Sequence, residues 1–299
     1  MNRPPAPLAA AIIAAVQLST RPRLIALDLD GTVVNGENRI PPATLKELAA
    51  CRAAGIELAF LTGRRPKTAG KHLDVINLPA HVATNSGSLV WRYPSWQSIA
   101  RQFFPAELVQ PVATLLAPHS ANFYVDSLAH GFEFFYLDRQ PTPALDIYLE
   151  RWGFEARRIK DPAEMAGFEI TQIAMPGDDE IVHALRDSIS GSYDGQLLAL
   201  AVKWPLIPTL CLEIFHPRAN KGAALARIAS ELNLTRRQIV AVGDDTNDAA
   251  MLEWAGYGIA MPQANELTRA SADYVLAGTG PEDMPGLLEQ LRALPDGED

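Results

Sequence analysis

The chain is poor in the residues that build metal–sulfur or imidazole sites. It has two cysteines, Cys51 and Cys211, far apart and without metal-ligand spacing. Neither a zinc site nor a disulfide framework is built that way, and both read as small apolar residues of a reducing compartment. His119, His130, His183 and His216 are scattered, also without ligand spacing, and take structural roles. Positive charge is short as well: 26 Lys and Arg against 35 Asp and Glu leave a net charge of −9. That balance excludes a general nucleic-acid or anionic-membrane surface, so an anionic substrate has to be drawn in locally, by a metal or a few placed cations. Long apolar runs are missing too. Leu8 to Val16 follows Arg3 and faintly resembles a signal peptide, but no clean Ala-x-Ala site follows Leu18. The run is shorter than the ~20 residues of a spanning helix. The expectation is a cytoplasmic protein with no membrane partner.

What is present is an ordinary globular composition, 48% hydrophobic and 20% charged over 299 residues, enough for one large domain or two ordinary ones. The organising stretch is Leu24-Ile25-Ala26-Leu27-Asp28-Leu29-Asp30-Gly31-Thr32. A continuous apolar run closed by a turn reads as a strand buried on both faces. Asp28 and Asp30, two apart, start on one side of it, and Gly31 lets the chain bend just beyond. An Asx-type turn is the plain alternative.

Further along, Pro41-Pro42 opens a helix that Gly55 stops. The apolar run Ile56 to Leu61 ends in Thr62-Gly63-Arg64, a helix runs to about Val75, and His81 to Thr84 reads as a strand. This alternation predicts α/β construction, a doubly wound parallel-sheet (Rossmann-like) core. Between residues 88 and 215 the pattern turns irregular, with prolines and aromatic patches. Phe132 to Leu137 and Leu197 to Val202 read there as strands of an inserted α+β cap domain. Trp91, Tyr93 and Trp96 belong to that stretch, as pocket lining or as packing. Core residues thus fall at 23–87 and 216–299, with 1–22 as an N-terminal extension. In the second core part Lys221 opens a helix, and the strand Ile239 to Val242 ends in Gly243-Asp244-Asp245-Thr246-Asn247-Asp248.

Three strands therefore end in groups able to do chemistry. In open parallel sheets, sites lie outside the carboxyl ends of the strands. If the three are neighbours, Asp28 and Asp30, Thr62, Gly63 and Arg64, and Asp244, Asn247 and Asp248 meet there, and Lys221 at a helix N-terminus can join them. Asp28, the Asp30 main-chain carbonyl and Asp244 make a hard-oxygen site suited to Mg²⁺.

The chain resembles the haloacid dehalogenase superfamily, and within it the Cof-type phosphatases with the second cap type. Asp28-Leu29-Asp30-Gly31-Thr32 matches the first motif and Leu61-Thr62-Gly63-Arg64 the second. Asn220-Lys221-Gly222 matches the third, and Gly243 to Asp248 the fourth. The resemblance implies a Mg²⁺-dependent phosphatase acting on a small phosphorylated metabolite through an aspartyl phosphate. It implies Asp28 as nucleophile and Asp30 as acid and base. Lys221, Thr62, Gly63 and Asn247 would hold phosphate, and Asp28, Asp30, Asp244 and Asp248 would serve the metal, Asp248 by holding metal waters or Lys221. Arg64 binds phosphate or pairs with an acid; Asp245 faces solvent or caps a helix; Arg157, Arg158 and Lys160 form a solvated face. A phosphomutase, or a weakly active binding protein on the same fold, are the competing readings.

Overall fold

The computed structural model describes residues 18–137, 139, 146–147, 150, 156–203 and 209–297. The apolar stretch at 8–16 lies outside them. The described residues fall into two compact units. Residues 18–64, 68–100 and 220–297 form the first; 65–67 and the residues described between 101 and 219 form the second.

The first part of the chain runs β1 (Leu24–Leu27), a helix Pro42–Ala53, β2 (Glu57–Leu61), a helix Pro66–Ile76, β3 (Ala80–Thr84), β4 (Leu89–Tyr93) and β5 (Gln97–Arg101). Every residue of β1 is buried, and its side chains divide by parity as a pleated strand requires. Ile25 and Leu27 pack with Leu48 and Leu73 from the two helices, while Leu24 and Ala26 pack into a separate cluster on the other face. The residues before β1 belong to the fold from Leu18 onward. Leu18 is buried in the first cluster, the Arg21 amide donates to the Pro295 carbonyl at 2.7 Å, and its guanidinium donates to the Ala54 carbonyl at 3.0 Å.

The second unit holds β6 (Ala121–Val125), β7 (Phe134–Leu137), β8 (Ala156–Ile159), β9 (Ile170–Gly177), β10 (Leu198–Lys203) and β11 (Leu210–Phe215). They form one sheet in the order β10-β11-β9-β6-β7-β8. Its neighbours run antiparallel except for the parallel pair β7 and β8. The helices Ala106–Leu115 and Asp179–Ser192 cover one face, with Val112, Val182 and Ile189 packed on Phe123, Phe135 and Leu212. This is the α+β unit expected from the sequence, with different limits. It starts at Arg101 rather than at 88, because β4 pairs antiparallel with β3 from Ala80–Tyr93 to Thr84–Leu89. It closes at Ala219 rather than at 215. Trp91, Tyr93 and Trp96 therefore pack in the first unit, Trp96 edge-on to both of the others. Arg157 and Arg158 are exposed as expected, and each lies over an aromatic ring, Phe132 and Tyr136.

The chain returns to the first unit with a helix Lys221–Glu231, β12 (Ile239–Gly243), a helix Ala249–Trp254, β13 (Tyr257–Ala260), a short helix Glu266–Ala270, β14 (Tyr274–Val275) and a helix Met284–Ala293. The sheet order is β14-β13-β12-β1-β2-β3-β4-β5. Strand order reverses between β12 and β1, which is where open α/β sheets place their sites. The three site-bearing strands are neighbours and end level, Leu27 pairing with Phe60 on one side and Val242 on the other. Helices Lys221–Glu231 and Ala249–Trp254 cover one face through Leu225, Ile228 and Met251, and the helix Met284–Ala293 covers the other through Leu287 and Leu291. Among the described residues no helix is long and apolar enough to cross a membrane.

Val90 is fully buried beside Ala59 and Ala83 in the first unit. Val90→Ala should lower the unfolding free energy by about 2 kcal/mol in chemical denaturation. The amides of β4 should exchange as slowly as those of β3; rapid exchange confined to β4 would contradict its place in the sheet.

Candidate active site

The turn after β1 is made by its main chain. The Leu29 carbonyl accepts the amides of Val33 and Val34, at 2.9 and 2.6 Å, and the Gly31 amide donates to the Val34 carbonyl. Gly31 sits at φ 81°, and a Cβ there would run into the Asp244 carboxylate. Glycine is thus required twice over, for conformation and for approach. The turn also carries a group whose use the sequence motif did not announce. The Thr32 hydroxyl donates to Asp244 Oδ1 at 3.2 Å, tying the end of β12 to that of β1.

Asp28 follows β1, its amide donating to the Val242 carbonyl at 3.0 Å. Lys221 approaches it from the first turn of the helix Lys221–Glu231, whose start is capped by the Asn220 side chain accepting the Ala223 amide. The Lys221 ammonium donates to Asp28 Oδ1 and Asp248 Oδ1, both at 2.6 Å. All three side chains are nearly sealed from solvent. Of the two uses expected for Asp248, holding Lys221 is the one its geometry displays. Its other oxygen accepts the amides of Asp244 and Asp245 at 2.9 and 3.0 Å. Asp245 caps the next turn, accepting the Thr246 amide at 2.7 Å and the Asn265 side-chain amide at 3.2 Å.

Asp30 points elsewhere. Arg64 grips it with two donors, Nε to Oδ2 at 2.7 Å and a terminal nitrogen to Oδ1, and extends to Asn38. Of the two uses expected for Arg64, pairing with an acid is the one present. Thr62 is fully buried, and its hydroxyl oxygen accepts the Arg64 amide at 3.0 Å. Gly63 lies beside Asn247, whose Nδ2 is 3.5 Å from where a Cβ of residue 63 would stand. The structure thus places Asp28, Lys221, Asp244 and Asp248 in one cluster, with Asp30 and Arg64 as an adjacent pair.

The cluster carries excess negative charge. Carboxylate oxygens of Asp28, Asp244 and Asp248 lie within 4.8 Å of one another, against one ammonium. Burial pushes the Asp28 carboxyl well above its ordinary range; Lys221 opposes this, and Asp248, Asp244 and Asp30 reinforce it. Asp244 is pushed up to about 7, by burial first and then by Asp248, against the pull of Lys221 and Thr32. Burial works against the Lys221 ammonium, but Asp248 and Asp28 outweigh it and raise its pKa above the usual lysine value. Crowded, reluctantly ionised carboxylates are the donors a hard divalent cation takes up, since the cation supplies the missing positive charge. The residues present fit Mg²⁺.

The model of the haloacid dehalogenase-like hydrolases matches residues 25–281, all four motifs included. The chain belongs to this family. It is 24% identical over 270 residues to the 5-amino-6-(5-phospho-D-ribitylamino)uracil phosphatase YcsE of Bacillus subtilis, covering 90% of this chain and 94% of that protein. It is 29% identical over 256 residues to the HMP-PP phosphatase of Escherichia coli O157:H7, covering 85% and 89%. Among solved structures it shares its fold with the subclass IIB sugar phosphatase BT4131, at a TM-score of 0.72 and 23% identity over 90% of this chain and 98% of that one.

The charge excess has a thermodynamic consequence. In the metal-free protein Asp244 holds its proton up to about pH 7, whereas an unfolded aspartate loses it near pH 4. Between these limits the native state binds more protons, so this group makes stability fall as pH rises. Asp244→Asn should therefore raise the unfolding free energy in chelator at pH 8 by on the order of 1 kcal/mol or more, with the gain shrinking toward pH 5. Mg²⁺ should stabilise the native protein more at pH 8 than at pH 6. Thermal unfolding with and without chelator checks both; a pH-independent effect of Mg²⁺ would contradict the assignment.

Proposed function

We propose that this protein is a Mg²⁺-dependent phosphatase that hydrolyses a small phosphate monoester through a covalent phosphoryl intermediate on Asp28. The observation that carries the reading is the buried Lys221 ammonium held at 2.6 Å from both Asp28 and Asp248, beside Asp244 and the Asp30–Arg64 pair. The phosphatase relatives support a phosphorylated small molecule as substrate.

Asp28, the Asp30 main-chain carbonyl and Asp244 would hold the cation, with Asp248 behind them. Bound Mg²⁺ would offset the mutual repulsion of Asp28 and an incoming phosphate. Lys221 engages one oxygen of Asp28 and leaves the other open. The Asp28 carboxylate attacks phosphorus in line, forming an acyl–phosphate bond while the ester P–O bond breaks. Asp30 gives its proton to the leaving oxygen, so the alcohol departs neutral. It then takes a proton from the water that attacks the phosphoryl group, and phosphate leaves with Asp28 restored. Both oxygens of Asp30 are engaged by Arg64 in this structure, so the proton transfers require Arg64 to yield at least one. Lys221, Thr62 and the Gly63 amide stabilise the equatorial oxygens, and Asn247 contacts them from the β12 side. Phosphate-monoester hydrolysis needs accelerations up to ~10²¹, which no lone carboxylate supplies.

Chelation should abolish phosphate release from p-nitrophenyl phosphate, and Mg²⁺ should restore it. The two aspartates should then separate. Asp30→Asn, given this good leaving group, should release a burst of nitrophenol near one per site, followed by a steady rate at least about 100-fold below wild type. Its intact mass should show an added phosphoryl group. Asp28→Asn should show neither burst nor adduct, and an adduct of equal yield on Asp28→Asn would remove Asp28 as nucleophile.

A further inference from the structure

The turn between β3 and β4 carries a polar side chain that the reaction above leaves unused. Asn85 and Ser86 are consecutive non-glycine residues in the left-handed region, at φ 50° and 53°, where most L residues are disfavoured. The turn is bolted to the end of β2. The Ser86 amide donates to the Thr62 carbonyl at 3.1 Å and the Asn85 amide to the Arg64 carbonyl at 2.9 Å. Ser86 is 2% exposed, and its hydroxyl has no hydrogen-bond partner. A buried hydroxyl in that state is costly and calls for an explanation.

Its surroundings supply one. A Cβ built on Gly63 would have two polar neighbours, Ser86 Oγ and Asn247 Nδ2, each at 3.5 Å. The hydroxyl comes from the turn after β3 and the amide from the turn after β12, and both arrive on the same face of Gly63. Asn247 is only partly buried, so its amide can turn between a bound ligand and the Ser86 hydroxyl. An amide nitrogen carries two N–H donors and a serine oxygen can accept.

We propose that Ser86 is a positioning residue for Asn247: with phosphate bound, its hydroxyl oxygen accepts one N–H of the Asn247 amide, a bond not formed in this structure, and so aims the other at the phosphoryl oxygens held along Thr62 and Gly63. The inference rests on the phosphatase reading and adds a residue to it. It also accounts for serine at a left-handed position. Glycine would relax the backbone there, as the lack of a Cβ allows, but would supply no hydroxyl. Backbone strain kept for a side chain's sake is the pattern of functional sites.

The test uses wild type, Ser86→Ala, Ser86→Gly, Asn247→Ala and the double variant Ser86→Ala/Asn247→Ala. Each is assayed on p-nitrophenyl phosphate with Mg²⁺, in competition with inorganic phosphate, and by thermal unfolding. Ser86→Ala should raise KM and the inhibition constant of inorganic phosphate together, by about three- to tenfold. Ser86→Gly should show the same loss while its unfolding midpoint rises by about 2 °C, a combination that a purely structural role does not produce. In the Asn247→Ala background, Ser86→Ala should add nothing, because the group it positions is gone. Wild-type kinetics in Ser86→Ala would overturn the proposal, as would penalties of Ser86→Ala and Asn247→Ala that multiply. A wild-type protein that hydrolyses no phosphate ester would instead remove the phosphatase reading, and this proposal with it.

Discussion

The site is arranged around an ammonium group that water does not reach. Lys221 is 1% exposed and touches two carboxylates, and each contact depends on a different piece of chain. Asp28 arrives from β1, Asp248 from the turn after β12, and Lys221 from the helix that follows the second unit. Burying one cation among several carboxylates is costly unless the geometry is right, and removing it leaves uncompensated charge, typically worth 3–5 kcal/mol. The same cation that would stabilise a transferring phosphoryl group therefore also holds the resting site together. Asp248 extends its reach, since the oxygen not facing Lys221 receives the amides that shape the Asp244–Asp245 turn.

Much of this was legible because strands buried on both faces spell themselves as unbroken apolar runs. Leu24 to Leu27, Glu57 to Leu61 and Ile239 to Gly243 are recognisable with their boundaries nearly right, and the polar residues that follow them mark the candidate site. What the runs could not reveal was their lateral order, which the register of Leu27 with Phe60 and Val242 settles. Less of the second unit could be read. Its strands β6, β7 and β9 are buried along their whole length, so no polar alternation set them out, and β5, at the edge of the first sheet, has no buried residue, so the start of the insertion had no clear mark. Trp91, Tyr93 and Trp96 pack, one of the two uses expected of them, but in the first unit, because an antiparallel strand added to a parallel sheet breaks the regular alternation that marks the core. At the chain start, Leu18 and Arg21 join the core through one buried side chain and main-chain bonds to the far terminus, neither of which leaves a periodic trace.

Arg64 illustrates how one residue can satisfy two readings without settling between them by sequence. Its amide is held by Thr62 and its guanidinium by Asp30 and Asn38, so it connects the wall expected to bind phosphate with the expected acid. The Thr32 hydroxyl does similar work between Asp30's turn and Asp244. Both links depend on loop conformation rather than on residue spacing, and both became visible only with the turns in place.

Strand order has a consequence for how the chain is made. β1 is synthesised first among the strands, yet one of its two neighbours, β12, begins at Ile239, after the whole second unit. A nascent chain that has completed β1 to β5 therefore carries an open edge along β1, with its backbone donors and acceptors unmet. Asp28 sits at the end of that edge without the lysine and carboxylate that will face it. The second unit, by contrast, draws its sheet from one continuous stretch and can complete it while β12 is still in the ribosome. Assembly of the Asp28–Lys221–Asp248 cluster thus waits for β12 and the turn after it, and an N-terminal fragment that stops short of β12 leaves β1, buried at every residue in the complete fold, as an open edge.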